Sequence, residues 1–224
     1  SPGDLGDDVR GLLLSPEGYV SFSKSGMLCE DGKCKTFSSK ANGYVRGEGV
    51  GMLMLKPFYK ALQDGDEIHA LIKGTAENHG GKTNSLTAPN PKAQAAVIAA
   101  ALERADIEFS KVGYIECHGT GTPLGDPVEI NGLKMVASEL PADAIGKMEC
   151  KLGSIKSNIG HLEYGAGVAG LLKVILQMKH RKIARSLHCE TINPYIQLEG
   201  TPFRIAQTAS PWKAGPDGIR RRST

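Results

Sequence analysis

Apolar residues recur along the chain in two rhythms. Short runs bounded by glycine, proline or polar clusters, namely Met52–Leu55, Ile68–Ile72, Val112–Ile115 and Cys150–Ile155, read as strands. Elsewhere the apolar spacing widens to three and four, the period of a helix. It predicts helices from Pro91 to about Ala105, from Pro127 to Leu140 and from Gly165 to Lys182. In the last of these Val168, Leu171, Leu172, Ile175 and Leu176 mark one apolar face. The basic end of that helix, Lys179 to Lys182, suits the negative pole of its dipole. A shorter helical piece follows Pro57 and stops at Asp64-Gly65. From Pro91 onward the order is helix, strand, helix, strand, helix, which argues a parallel sheet with right-handed crossovers. The opening stretch, Ser1 to Arg10, is polar and rich in Gly and Asp, and reads as an irregular end. Cys29 and Cys34 flank Asp31-Gly32, which reads as a hairpin turn.

The ends of two strands carry the chemistry. In "IECHGTGTPLGDPVEI" an apolar run delivers His118 to a loop that feeds a helix, with Asp126 read as N-cap, Pro127 as first helical residue and Glu129 as capping-box partner. "KSNIGH" closes the next strand, so Lys156 and His161 occupy an equivalent loop. Ligands bind at the carboxyl edge of open α/β sheets. If the two strands are neighbours, roughly 5 Å apart, both imidazoles reach one small molecule. A neutral imidazole there can donate an N–H to a developing oxyanion or move a proton near pH 7. Lys156 either organises that pair or is a solvated loop lysine. Thr120 and Thr122 can offer hydroxyls to a polar ligand, while Gly119 and Gly121 permit a tight turn. Gly165, Gly167 and Gly170 cost helix stability, which close backbone packing would explain.

Composition narrows the function. With 224 residues, 40% of them hydrophobic, the chain can bury a real core. A formal charge of +3, with basic residues scattered except at Lys179–Lys182 and Arg220–Arg222, argues against a nucleic-acid partner. No apolar run is long enough to span a bilayer, since Gly170 and Lys173 interrupt the longest, and no signal peptide opens the chain. Five scattered cysteines suggest reduced thiols and a cytoplasmic location. No metal is expected, because the two histidines lack a carboxylate or thiolate at ligand spacing other than Cys117, whose side chain should point away from His118. Two phosphate-binding decoys fail. "RGEGVG" lacks the dinucleotide spacing and precedes a strand. "AENHGGKT" loosely fits a phosphate loop, but Pro89 and Pro91 forbid a helix starting at Lys82, so His79 to Pro89 should be a non-helical loop.

The stretches "ANGYVRGEGVGMLMLKP", "GYIECHGTGTPLGDPVEI" and "KLGSIKSNIGHLEYGAGVAGLLKVI", with "TAPNP" and "INPYIQLEGTPF" in the same order, resemble the ketosynthase (β-ketoacyl synthase) domains of polyketide synthases. The resemblance runs from about Leu12 to the tail. It implies an α/β, thiolase-like αβαβα layered fold, here incomplete. Residues 1–11 would be an irregular end, 12–83 the end of the N-terminal half, 84–212 the C-terminal half and 213–224 a basic tail. It further implies a decarboxylative condensation, in which a malonyl-type thioester on the phosphopantetheine of an acyl carrier protein attacks an acyl thioester held on cysteine. His118 and His161 correspond to the catalytic histidines and Lys156 to the lysine that organises them. Thr120, Thr122 and Asn158 correspond to pantetheine- or substrate-binding positions. No cofactor would bind directly. The partners implied are the carrier protein, other synthase domains and, for a complete domain, a second copy. None of Cys29, Cys34, Cys117, Cys150 or Cys189 sits in the family's nucleophile elbow, and the family's closing Gly-Phe-Gly-Gly segment is absent. A non-catalytic scaffold or carrier-docking fragment is therefore the rival reading, and a nucleotide-binding phosphate-loop protein a distant third.

Overall fold

The computed structural model describes residues 5–83, 89–214 and 222–223. Its centre is a four-stranded parallel sheet. Strand β3 (Tyr114–Glu116) lies between β4 (Cys150–Gly153) and β8 (Arg222–Ser223), and β6 (Phe203–Ile205) lies outside β4. The register pairs Tyr114 with Lys151 and Glu116 with Gly153, so the two central strands end at the same edge. Arg222 and Ser223, expected in a basic tail, instead extend this sheet. The short strands β5 (Lys182–Ile183) and β7 (Ser210–Pro211) form a separate antiparallel pair.

Alternation along β3 divides the interior. Ile115 and Cys117 face a core with Ile130, Leu133 and Val136 of helix α4 (Gly125–Ala137), and helix α3 (Pro91–Ala105) packs outside it. Tyr114 turns the other way, toward Val174 of helix α7 (Ala166–His180) and Trp212. The result is a helix–sheet–helix sandwich. Asn90 caps α3 by accepting the N–H groups of Lys92 and Ala93, with Pro91 at the first helical position. Helix α5 (Ala142–Lys147) is a short addition after α4, which itself stops before Leu140.

Several expectations change. The buried stripe of α7 is Val168, Gly170, Lys173, Val174 and Gln177, while Leu176 is exposed and Leu171, Leu172 and Ile175 are only half-buried. The face is rotated because Lys173 turns inward to pair with Glu116 at 2.8 Å. Gly170 sits close to Glu116, as expected of a packing glycine, whereas Gly167 faces open space. The irregular opening contains strand β1 (Leu5–Gly11), whose backbone pairs antiparallel with β2 (Gly49–Leu55). Backbone pairing of this kind depends little on a polar composition. On β2, Val50, Met52 and Met54 are exposed. Ile68–Ile72 forms no strand. It finds no ladder partner among the described residues, and Arg104 instead holds the following segment through the Thr75 carbonyl. Asp31-Gly32 turns without a hairpin, since Lys35 folds back onto Asp31 and Leu28 bridges Tyr44 in parallel. The helical piece after Pro57 is present as α2 (Phe58–Asp64), closed by Gly65 in the left-handed conformation. Helix α1 (Glu17–Lys24) has no buried residue and left no clear periodic signal. Residues 79–83 and 89 are non-helical as expected, and the rest of that loop lies outside the described residues. Among the described residues no helix is long and apolar enough to cross a membrane.

The two helix glycines make opposite predictions. Gly167→Ala should stabilise the chain by about 0.5 kcal/mol, because alanine is the better helix former and nothing opposes its methyl group. Gly170→Ala should destabilise it, because the methyl would sit 3.2 Å from Cγ of a Glu116 already fixed by its ion pair. Denaturant unfolding of both variants checks this; a gain in stability for Gly170→Ala would contradict the packing role.

Candidate active site

The loop after β3 is built around two glycines and two carboxylates. Gly119 (φ 43°) and Gly121 (φ 80°) adopt the left-handed conformation. A Cβ at Gly119 would lie 2.5 Å from the Thr36 methyl, and one at Gly121 would lie 2.8 Å from the Lys35 nitrogen, so the glycines serve close approach as well as the turn. The N–H groups of His118 and Gly119 donate to Glu129 Oε1 and Oε2 at 2.6 and 2.9 Å. Those of Gly121 and Phe37 donate to Asp126 at 3.1 and 2.7 Å. The capping box is thus corrected. Helix α4 begins at Gly125 without a side-chain cap, and Asp126 in its first turn and Glu129 just beyond it hold the preceding loop. Thr120 and Thr122 bring their hydroxyls to 3.3 Å of each other on the pocket rim.

The second loop starts from β4. Its residues 156–159 form a short helix, α6 (Lys156–Ile159), in place of the expected coil, and Gly160 (φ 77°) then releases the chain to His161. The His161 N–H donates to the Val45 carbonyl at 2.7 Å and its own carbonyl accepts the Gly47 N–H at 2.9 Å. Its Nδ1 accepts the Glu163 N–H at 3.0 Å. A neutral ring whose Nδ1 is an acceptor carries its proton on Nε2. The His118 and His161 ring centroids lie 5.4 Å apart, nearly perpendicular, close enough for both rings to meet one ligand atom. Both line a cavity of about 260 Å³ with Thr120, Thr122, Tyr44 and Met27. Asn158 is not brought there. It is exposed on α6 and shares a hydrogen bond with Ser157 at 3.3 Å.

Lys156 is buried beneath the pair at 4% exposure, which removes the solvated-loop reading. Burial lowers its pKa, against the charges of Glu129 and Glu116, which raise it. Burial, then the Lys156 charge, then His161 hold the His118 imidazole below its ordinary value. The His118 side chain also opens to solvent at the pocket, so the direction of this shift is what matters chemically. Burial and Lys156 lower His161 as well, with Glu163 opposing. Both rings are therefore neutral near pH 7. Burial pushes Asp126 up to about 7, against the N–H groups of Phe37, Gly121 and Thr122, and raises Glu129 as well. The arrangement offers imidazole N–H donors to a polar ligand in a cavity of mixed lining. None of the five cysteines lines that cavity, and Cys117 points into the apolar core as expected. Among the described residues no group of three or more His, Cys, Asp or Glu side chains could hold a metal ion. Asp126 and Glu129 as loop anchors, and Tyr44 and Met27 as lining, were not foreseen. The spacing of the two acids was visible, but it is shared by an ordinary helix start.

Comparison with known proteins gives one consistent result. The family description "Beta-ketoacyl synthase, C-terminal domain" matches residues 69–190, more than half of the chain, and "Beta-ketoacyl synthase, N-terminal domain" matches residues 11–61. Polyketide synthase PksN of Bacillus subtilis is 53% identical over 94% of this chain and 4% of its own length. Polyketide synthase ThaG of Burkholderia thailandensis is 48% identical over 93% of this chain and 4% of its own. The chain thus spans a small fraction of the synthases it matches. Among solved structures, an oxazolomycin ketosynthase domain from Streptomyces albus superposes with a TM-score of 0.90 at 40% identity. The ketosynthase from module 6 of the bacillaene synthase of Bacillus subtilis superposes with 0.89 at 39%. Each match covers 95% of this chain and 37% of the solved chain.

Because the Lys156 charge depresses both imidazoles, Lys156→Met should raise the titration midpoints of His118 and His161. In the unaltered protein those midpoints should lie below 6.5. The sign for stability follows. Groups that titrate lower in the folded state favour folding fully above about 6.5 and oppose it as pH falls from there. NMR titration of the ring protons reads this directly, and midpoints that stay put or fall in the lysine variant would contradict it.

Proposed function

The chain belongs to the β-ketoacyl synthase family, with the thiolase-like α/β fold of polyketide-synthase ketosynthases, and on that premise we propose that it carries the decarboxylation half of a condensing site. A malonyl-type thioester, delivered on the phosphopantetheine arm of an acyl carrier protein, enters the cavity past Thr120 and Thr122. Its carboxylate leaves as carbon dioxide, and the electron pair passes to the thioester carbonyl as an enolate. His161 donates Nε2–H to that oxygen, and His118 converges on it from the second loop. Lys156, beneath both, keeps the rings unprotonated so that they act as donors rather than acids. The enolate carbon then attacks an acyl thioester, forming the carbon–carbon bond and expelling a thiolate. No directly bound cofactor takes part. A cytoplasmic location and pairing with a second copy belong to the same reading. The observation that carries it is the convergence of the two imidazoles at 5.4 Å in a hydroxyl-rimmed cavity over a buried lysine.

A second reading, a non-catalytic scaffold that docks carrier proteins, is favoured by one fact: no cysteine of this chain reaches the cavity to hold the first acyl group. Malonyl-pantetheine given to the purified chain separates the two. The expected outcome is slow formation of acetyl-pantetheine and carbon dioxide, falling by about 10²-fold in His118→Ala or His161→Ala. Absence of both decarboxylation and saturable binding would select the scaffold. With an acyl-pantetheine added, no acyl-cysteine adduct and no β-ketoacyl product should form, and mass spectrometry that detects either would show that one of these five cysteines does serve as nucleophile.

A further inference from the structure

The turn that fixes the His161 proton is itself costly. Glu163 has φ 51°, in the left-handed region where a side chain crowds its own backbone. Glu163 opens a short 3-10 turn, residues Glu163–Gly165, and its N–H caps Nδ1 only while the residue is held in that strained place. The side chain of Glu163 is the evident tether. Its Oε1 accepts from Arg46 Nε at 2.6 Å, with both side chains largely shielded at 11% and 22% exposure.

Arg46 is in turn unable to wander. Its guanidinium lies 4.9 Å from the ring centre of Tyr19 and 5.0 Å from that of Phe22, both on α1, and a Cβ at Gly18 would fall 2.6 Å from its Nη1. Its backbone bridges His161 in parallel, through the Val45 carbonyl and the Gly47 N–H. The contacts therefore close a ring, from the Arg46 backbone to His161, along the chain to Glu163, and back through the ion pair to the Arg46 side chain. We infer that Arg46 and Glu163 are positioning residues for His161: their ion pair anchors Glu163, whose N–H donates to Nδ1, and so keeps the ring proton on Nε2. Their charges oppose one another at the imidazole, Glu163 raising its pKa and Arg46 lowering it, so the pair acts through geometry.

The inference rests on the reading of His161 as an Nε2–H donor, but its test needs no substrate, and its failure would leave the decarboxylation assay untouched. In the ¹⁵N-histidine-labelled chain at mildly alkaline pH, long-range ¹H–¹⁵N correlation should give His161 a single Nε2–H pattern. In Glu163→Gln, which keeps size and leaves the aromatic clamp intact, the ratio of Nε2–H to Nδ1–H forms should fall about fivefold to tenfold. Arg46→Met should do the same, and Arg46→Lys should restore part of the ratio. Unchanged fluorescence of Trp212, the one tryptophan of the chain and buried at 4% exposure, reports that each variant folds. A pure single-tautomer pattern in folded Glu163→Gln would overturn the inference; should Arg46→Met fail to fold, Glu163→Gln alone decides it.

Discussion

A strand that ends at a ligand-binding edge leaves backbone N–H groups with no ladder partner, and an unpaired N–H in a partly buried site is expensive. Carboxylates solve that problem in this chain. Glu129 takes two such groups, Asp126 takes two more, and Glu116 accepts the Ile155 N–H at 2.5 Å beside the hydroxyl of Tyr114. The arrangement ties both histidine loops to the sheet and to α4. Its cost is buried negative charge, which Lys173 offsets behind the sheet and Lys156 offsets beneath the imidazoles. The lysine that depresses the histidines is thus also needed by the carboxylates that hold them.

That coupling explains why the site is neutral where it meets its ligand and charged one layer below. A neutral imidazole donates from one nitrogen only, so a single tautomer gives each ring one defined donor. Charge beneath them selects that state, while burial raises the pKa of Asp126 against the N–H groups that hold it as a carboxylate.

Much of the sheet was legible because β3 and β4 are buried on both faces and so read as short apolar runs between breakers. The same fact placed His118 and His161 at one edge before any geometry was known. What stayed hidden was long-range. Asp126 and Glu129 have the spacing of a helix start, and nothing local says whether they bond their own helix or the loop before it. Ile68–Ile72 has a strand's composition but no ladder partner among the described residues. Helix α1 buries none of its own residues and meets the rest of the fold where Tyr19 and Phe22 face Arg46, twenty-odd residues on. Asn158 shows the converse limit: a matching position in a motif does not bring a side chain into the cavity, because the short helix α6 turns it to solvent.

Strand β2 carries a further consequence. Val50, Met52 and Met54 project on one side of it at 61, 67 and 76% exposure, spaced two residues apart and paired with Arg10, Asp8 and Gly6 of β1. A one-strand apolar stripe beside charged positions can meet apolar surface elsewhere, and kosmotropic salts strengthen such contacts. Colloidal behaviour of the chain should therefore respond to sulfate concentration before the folded core does.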